Sequence, residues 1–139
     1  MFKALVLEKN AEGQAAAAIR EMDDSALPAG DVTVAVDYST VNYKDGLCLS
    51  PTGSGLVRAY PHVAGIDFAG TVETSTDARY KVGDKVVLTG WRVGEVHWGG
   101  YATKARVKAN VSPAAMLGAV VLVAAAYAVR FWGSAAIAT

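Results

Sequence analysis

Four stretches of this 139-residue chain hold side chains able to do chemistry. The first is Asn42-Tyr43-Lys44-Asp45, ahead of Gly46-Leu47. Asn caps helices well and Asp suits the positive end of a helix dipole, so a helix N-terminus accounts for the run. The same amide, phenol and carboxylate also suit a cleft rim that orients a carbonyl or a nicotinamide ring. The second stretch runs from Pro61 to Gly70 and contains His62 and Asp67. Two ligand types without a third, and without a His-x-x-x-His or cysteine pair, are poor grounds for a metal site. His62 is expected in a loop or at a strand edge. Asp67, inside an apolar strand, needs a hydrogen-bonding partner, because an unpaired buried carboxylate is costly.

The third stretch, Lys81-Val82-Gly83-Asp84-Lys85-Val86, is explained fully as a tight turn between strands. The fourth, Leu88 to Tyr101, packs Trp91, Arg92, His97, Trp98 and four glycines into a short span. Such loops often carry binding groups on a rigid scaffold. An aromatic plug over one end of a barrel explains the same residues, and both readings stay open.

Short strands must position these groups. Phe2 to Glu8 reads as a strand, Asn10 to Gly13 as a turn, and Ala16 to Met22 as the returning strand. Val32, Val34 and Val36 alternate with Thr33, Ala35 and Asp37, the period of a half-buried strand. Asn42 to Leu49 suits a short helical turn, and Ser50 to Gly55 is a loop dense in glycine and proline. Ile66 to Thr74, Val86 to Thr89 and Tyr101 to Val107 complete the strand set, with Gly65 and Gly70 marking close backbone approach or a bulge. Many short strands between turns indicate a mainly β barrel or sandwich.

Composition narrows the function. Basic and acidic residues number 13 each, so the net charge gives no argument for nucleic acid. Cys48 is the only cysteine, which excludes an internal disulfide and a thiolate metal cluster. The start, Met1 to Leu7, lacks the apolar region and cleavage site of a signal peptide, and cytoplasmic location is expected. Charge is unevenly spread, since Arg130 is the only charged residue beyond Lys108.

In order, Asn42-Tyr43-Lys44-Asp45, then the Pro61 to Val72 run with Gly65-Ile66-Asp67-Phe68-Ala69-Gly70, then Val82-Gly83-Asp84-Lys85-Val86, then Gly99-Gly100-Tyr101-Ala102 resemble a known series. It is that of the GroES-like domain of medium-chain dehydrogenases and reductases. The stretch from Leu88 to Ala102, with Ala105-Arg106-Val107-Lys108 after it, resembles one branch. That branch is the NADPH-dependent acryloyl-CoA reductases, grouped with quinone-oxidoreductase-like proteins. The resemblance runs from Met1 to about Lys108 and implies a GroES-like, partly open β-barrel with short helices. Zinc-dependent relatives place a cysteine where Asn42 stands and a histidine where Ile66 stands, so it also implies a metal-free site. Ala64 stands where the family usually has proline.

The implied activity is reduction of the C=C bond of a 2-enoyl thioester such as acryloyl-CoA by NADPH. Under it Asn42 and Asp45 line the cleft as catalytic residues and Tyr43 contacts the cofactor. Arg92, from its loop and charge, is expected to attract a phosphate of coenzyme A. Members of the family continue into a nucleotide-binding domain with a glycine-rich turn. Gly118 and Gly133 are isolated, so that domain is expected to be absent here and the chain alone inactive. A non-catalytic remnant or interaction β-domain is the alternative.

Residues 109–139 are rich in alanine and atypical of the family. A packed hydrophobic helix, non-native sequence and a membrane segment compete as explanations. Pro113 to Val129 is uncharged but at the short edge of a span, which needs roughly 20 residues. Self-association or membrane contact through residues 113–132 follows from those readings.

Overall fold

A computed structural model of the chain describes residues 1–50 and 55–111. The first hairpin is the expected one: β1 (Phe2–Lys9) pairs antiparallel with β2 (Ala15–Met22), Phe2 opposite Met22 and Lys9 opposite Ala15. Asn10 makes the turn, its Oδ1 accepting from the backbone N–H groups of Glu12 at 3.1 Å and Gln14 at 2.8 Å. The other edge of β1 pairs with a two-residue strand, β4 (His62–Val63), giving the sheet order β2-β1-β4. His62 is therefore a strand-edge residue, in a strand too short for any periodicity to announce.

The second sheet has the order β6-β5-β3-β7, with β3 at Val32–Tyr38, β5 at Asp67–Ser75, β6 at Lys85–Thr89 and β7 at Lys104–Val107. Its strands pair antiparallel throughout. Regular pairing in β7 begins at Lys104, later than the expected Tyr101, because Tyr101 and Ala102 face β1 instead and Thr103 is shared, its carbonyl accepting from Val36 N–H of β3. Leu5 N–H donates to Tyr101 O and Thr103 N–H to Lys3 O, both at 2.8 Å, and Ala4 bridges Ala102. These bonds join the two sheets. One α-helix, α1 (Tyr43–Leu49), comes after β3, and 3-10 turns lie at Asp24–Ala26 and Ala109–Val111.

Each sheet covers its own apolar cluster. Val32, Val34, Phe68, Val72, Val86 and Leu88 fill one, from alternate positions of β3, β5 and β6. Phe2, Val6, Leu7, Cys48, Val63 and Tyr101 fill the other, where α1 is seated. Fully buried side chains such as Leu7 and Leu88 contribute about 1.5–3 kcal/mol each. β3 departs from simple half-burial, since Val32, Thr33 and Val34 are all buried. It lies between β5 and β7, and Thr33 sits opposite Arg106, whose Nε donates to Thr33 Oγ1 at 3.0 Å.

Two register shifts interrupt the β3–β5 pairing, one between Thr33 and Val34 and one between Val36 and Tyr38. Shifts of this kind bend a strand and re-aim the chain beyond it. Beyond β3 that chain is Ser39 to Asn42, the approach to α1. Gly70 faces Val36 beside the second shift, where a Cβ would run into the Ala35 carbonyl and lie 2.8 Å from Val34 Cγ1.

Of the expected hydrophobic helix of residues 109–139, only the 3-10 turn Ala109–Val111 is described; residues 112–139 and much of the loop at 50–55 lie outside the described residues. Among the described residues no helix is long and apolar enough to cross a membrane. Gly70→Ala is expected to destabilise the domain by about 1–3 kcal/mol through overpacking, read as a lowered urea midpoint. An unchanged midpoint would show that β3 and β5 can separate without cost.

Candidate functional site

The site forms where the end of β3, the start of α1 and the start of β5 meet. Asn42 is the N-cap residue of α1, in extended conformation. Asp45, in the first turn, reaches back so that its Oδ2 accepts from the Asn42 backbone N–H at 2.9 Å. The helix-start reading of Asn42 and Asp45 therefore describes the backbone correctly. Asp45 does more than cap, because it has no exposed surface and its Oδ1 accepts from the Ile66 backbone N–H at 3.0 Å. One carboxylate thus ties α1 to the segment that enters β5.

Asp67 has the partners its sequence position demands. Its Oδ1 accepts from Thr40 N–H at 3.0 Å, and its Oδ2 from the Thr40 hydroxyl at 2.6 Å. The Asn42 amide stands between the two carboxylates. Its Nδ2 donates to Asp67 Oδ2 at 3.0 Å and Asp45 Oδ2 at 3.2 Å, and lies 3.0 Å from Thr40 Oγ1. Hydrogen bonds from neutral donors, rather than cations, hold both charges in place, which offsets much of their desolvation. Ser39 adds a bond from its hydroxyl to Asp67 O at 2.8 Å.

Above this network the surface changes character. Tyr43 is 83% exposed and Val41 73%. Gly46 lies one turn beyond Tyr43 on the same helix face, with open space where its Cβ would be. An aromatic ring and a bare patch of helix thus lie side by side over a polar floor. Burial of Cys48 raises its thiol pKa, reinforced by the Asp45 charge, so the thiol stays protonated and is no nucleophile. The Tyr101 hydroxyl donates to Thr40 O at 3.1 Å. Burial and then the Asp45 charge hold its pKa far above the ordinary phenol value, so it serves as a fixed donor.

Lys44 leaves the helix in the other direction and pairs with Glu95 at 2.8 Å. Glu95 is buried, which makes this pair the anchor of the loop from Gly90 to Trp98. The loop's base is rigid: Val93 is fully buried, and Gly94 N–H donates to His97 O at 2.7 Å. At its tip Trp91 and Arg92 both take left-handed backbone conformations, with φ of 55° and 62°. That geometry costs a non-glycine residue about 1–2 kcal/mol. Trp91 is 54% exposed, so it plugs nothing. Trp98 is the covering aromatic, packed on the β1 cluster with its Nε1 donating to Pro61 O at 3.2 Å.

The structure therefore brings Asn42, Tyr43 and Asp45 together and places Arg92 elsewhere, on a loop tied to them through Lys44 and Glu95. The Arg92 side chain is exposed and has no ion pair among the described residues. Sequence reasoning passed over Thr40, Lys44 and Glu95 as site residues. Glu95 alone carried a signal, as a lone acid in an aromatic, glycine-rich loop. His62 is buried, and its Nε2 has no hydrogen-bond partner among the described residues. Among the described residues no group of three or more His, Cys, Asp or Glu side chains is arranged to hold a metal ion.

Asp45→Asn keeps the shape but turns an acceptor into a donor facing donors. A loss of about 2–3 kcal/mol in urea unfolding is expected, against under about 0.5 for the exposed control Asp37→Asn. Equal effects would remove Asp45 from its anchoring role. Burial also holds His62 below its ordinary pKa of 6.5. The unfolded chain therefore binds that proton first. The His62 contribution to stability is complete above about pH 6.5 and is lost as pH falls from there through the lower folded value. His62→Gln is expected to flatten the fall of the urea midpoint on acidification, and an unchanged slope would exclude His62 as its source.

Known proteins place this geometry in a family. The model for the alcohol dehydrogenase GroES-like domain matches residues 28–129, reaching past Lys108. The chain is 68% identical over 111 residues to acrylyl-CoA reductase AcuI of Ruegeria pomeroyi, covering 79% of this chain and 33% of that protein. It is 40% identical over 107 residues to a putative quinone oxidoreductase, YhfP of Bacillus subtilis, covering 77% and 32%. Among solved structures, Escherichia coli YhdH with bound NADPH superposes with a TM-score of 0.78 at 49% identity, over 84% of this chain and 35% of that one. The chain thus spans about a third of the length of the curated relatives it matches. It belongs to the alcohol dehydrogenase GroES-like domain family of the medium-chain dehydrogenases and reductases, in the branch that holds acrylyl-CoA reductases and quinone-oxidoreductase-like proteins.

Proposed function

We propose that residues 1–108 supply the substrate-side half of the cleft of an NADPH-dependent, zinc-independent reductase acting on the C=C bond of a 2-enoyl thioester such as acryloyl-CoA. The observation that carries this reading is the outer face of α1, where exposed Tyr43 and the bare patch at Gly46 lie over the Asn42–Asp45–Asp67 network. The missing Cβ at Gly46 leaves open space beside the Tyr43 ring, so this face fits a nicotinamide against that ring. The likeness to AcuI and to YhdH, whose structure holds NADPH, supports the same reading.

NADPH, when bound, supplies the hydride that reduces the β-carbon. The chain's own residues do the positioning. Tyr43 and Val41 flank the ring and keep water from it. Asn42 orients cofactor or substrate at the edge of the network. Asp45, enclosed and with both oxygens engaged, acts through Asn42 and is a positioning residue. Arg92, with no ion pair among the described residues, meets a phosphate of coenzyme A. Asn42 and Ile66 offer a zinc ion no competent side chain at the positions where zinc-dependent relatives have ligands, which supports metal-free chemistry. In this reading the nucleotide-binding part lies outside residues 1–108, residues 109–139 form a separate tail, and the chain works in the cytoplasm.

Joining residues 1–108 to the remainder of Ruegeria pomeroyi AcuI tests the proposal directly. The hybrid is expected to oxidise NADPH in the presence of acryloyl-CoA. Asn42→Ala should lower its kcat/KM about 10–100-fold, and Tyr43→Phe should raise KM for NADPH. A folded hybrid without activity, or one indifferent to both substitutions, would overturn the assignment in favour of a non-catalytic interaction domain.

A further inference from the structure

Two cations on one face of β7 have different surroundings. Lys104 and Arg106 are two residues apart, so their side chains leave the strand on the same side. Lys104 is neutralised twice, by Asp24 at 2.7 Å and Glu73 at 3.0 Å. Arg106 has no carboxylate within ion-pair distance among the described residues. Its bond from Nε to Thr33 Oγ1 fixes the guanidinium at 3.0 Å and leaves the terminal nitrogens without an acceptor among the described residues.

The Arg106 side chain is half-buried and lines an open cleft with His97, Lys108, Pro28 and Val93. Among the described residues no carboxylate lines this cleft. Two acids flank it: Asp31 lies beside the end of β7, its Oδ2 accepting from Ala109 N–H at 3.0 Å, and Glu95 is taken up by its pair with Lys44. In a chain of zero net charge, three residues with basic side chains thus line one apolar-walled recess that no carboxylate lines among the described residues.

We infer that this cleft binds the phosphoryl group of a small molecule. A guanidinium fixed through Nε presents a planar fork suited to two phosphate oxygens. Lys108 adds a mobile point charge at the rim, and the His97 imidazole can donate to a third oxygen. A carboxylate, with two oxygens, would satisfy Arg106 alone. Donors from β7, from the residue after it and from the Gly90–Trp98 loop match a group with three terminal oxygens. The inference does not rest on the Asn42 network, to which none of these three residues belongs.

The test titrates the full chain with inorganic phosphate at constant ionic strength, chloride replacing phosphate in the control. Binding is followed by the His97 and Lys108 backbone NMR resonances and by thermal unfolding. Saturable shifts at both positions and a raised Tm are expected with phosphate and not with chloride. The apparent Kd should weaken about tenfold or more in Arg106→Gln and in Lys108→Gln. Lys108 is exposed and belongs to neither apolar cluster, so its variant keeps the test valid if Arg106→Gln fails to fold. Adenosine 3′,5′-bisphosphate binding tighter than phosphate would identify a nucleotide as the source, and equal affinity would identify the phosphoryl group alone. Shifts reproduced by chloride, no saturation, or unchanged affinity in both variants would overturn the inference.

Discussion

Asp45 is a carboxylate without exposed surface or an ion pair among the described residues, and the arrangement of the site depends on how it is satisfied. A charge so placed must collect hydrogen bonds, and its donors include the Ile66 N–H, the Asn42 N–H and the Asn42 amide. Meeting those three fixes where α1 starts, how far it stands from β5 and how the Asn42 side chain lies. Asp67 imposes the same demand from the strand side and meets it through Thr40 and Asn42. The shared amide makes the two requirements one. Helix and strand cannot move apart without exposing an unsatisfied carboxylate in a region from which water is excluded.

This interior constraint frees the outer surface. Because the polar groups of the Asn42 turn are satisfied inward, Val41, Tyr43 and Gly46 stay available on the outside. The loop at Gly90 to Trp98 obeys the same logic. Its buried parts, Val93 and Glu95, hold it to the second sheet's core and to Lys44, while Trp91 and Arg92 are carried at its tip. Rigidity beneath and exposure above are what a binding surface requires.

Much of the sheet framework was legible in the sequence, and the reasons are local. The Val32–Val36 alternation, the Asn10 turn and the Gly83-Asp84 turn each state their structure within a few residues. β4 was not legible, because two residues carry no period and its existence depends on β1 alongside. Tyr101 read as strand, yet it bonds to β1 rather than extending β7. The site was half legible. Asp67 announced that it needed a partner but could not say that the partners were Thr40 and Asn42, roughly 25 residues earlier in the chain. Asn42 and Asp45 read correctly as a helix start, and nothing local distinguished that from the enclosed network they also form. The Lys44–Glu95 pair spans 51 positions and is a product of tertiary packing alone.

The bonds between Lys3 and Thr103 have a consequence for how the molecule comes into being. They join residues 100 positions apart: Lys3 N–H donates to Thr103 Oγ1 at 3.0 Å, and Thr103 N–H to Lys3 O. Translation proceeds at about 5–20 residues per second, so the amino-terminal hairpin emerges and waits for several seconds before its closing partner exists. During that interval one edge of β1 is open, with only the two residues of β4 to cover it. Such high contact order predicts slow folding for a domain this small. The lysines that punctuate the strand, Lys3 and Lys9, are the kind of charge that discourages pairing with a foreign edge in the meantime.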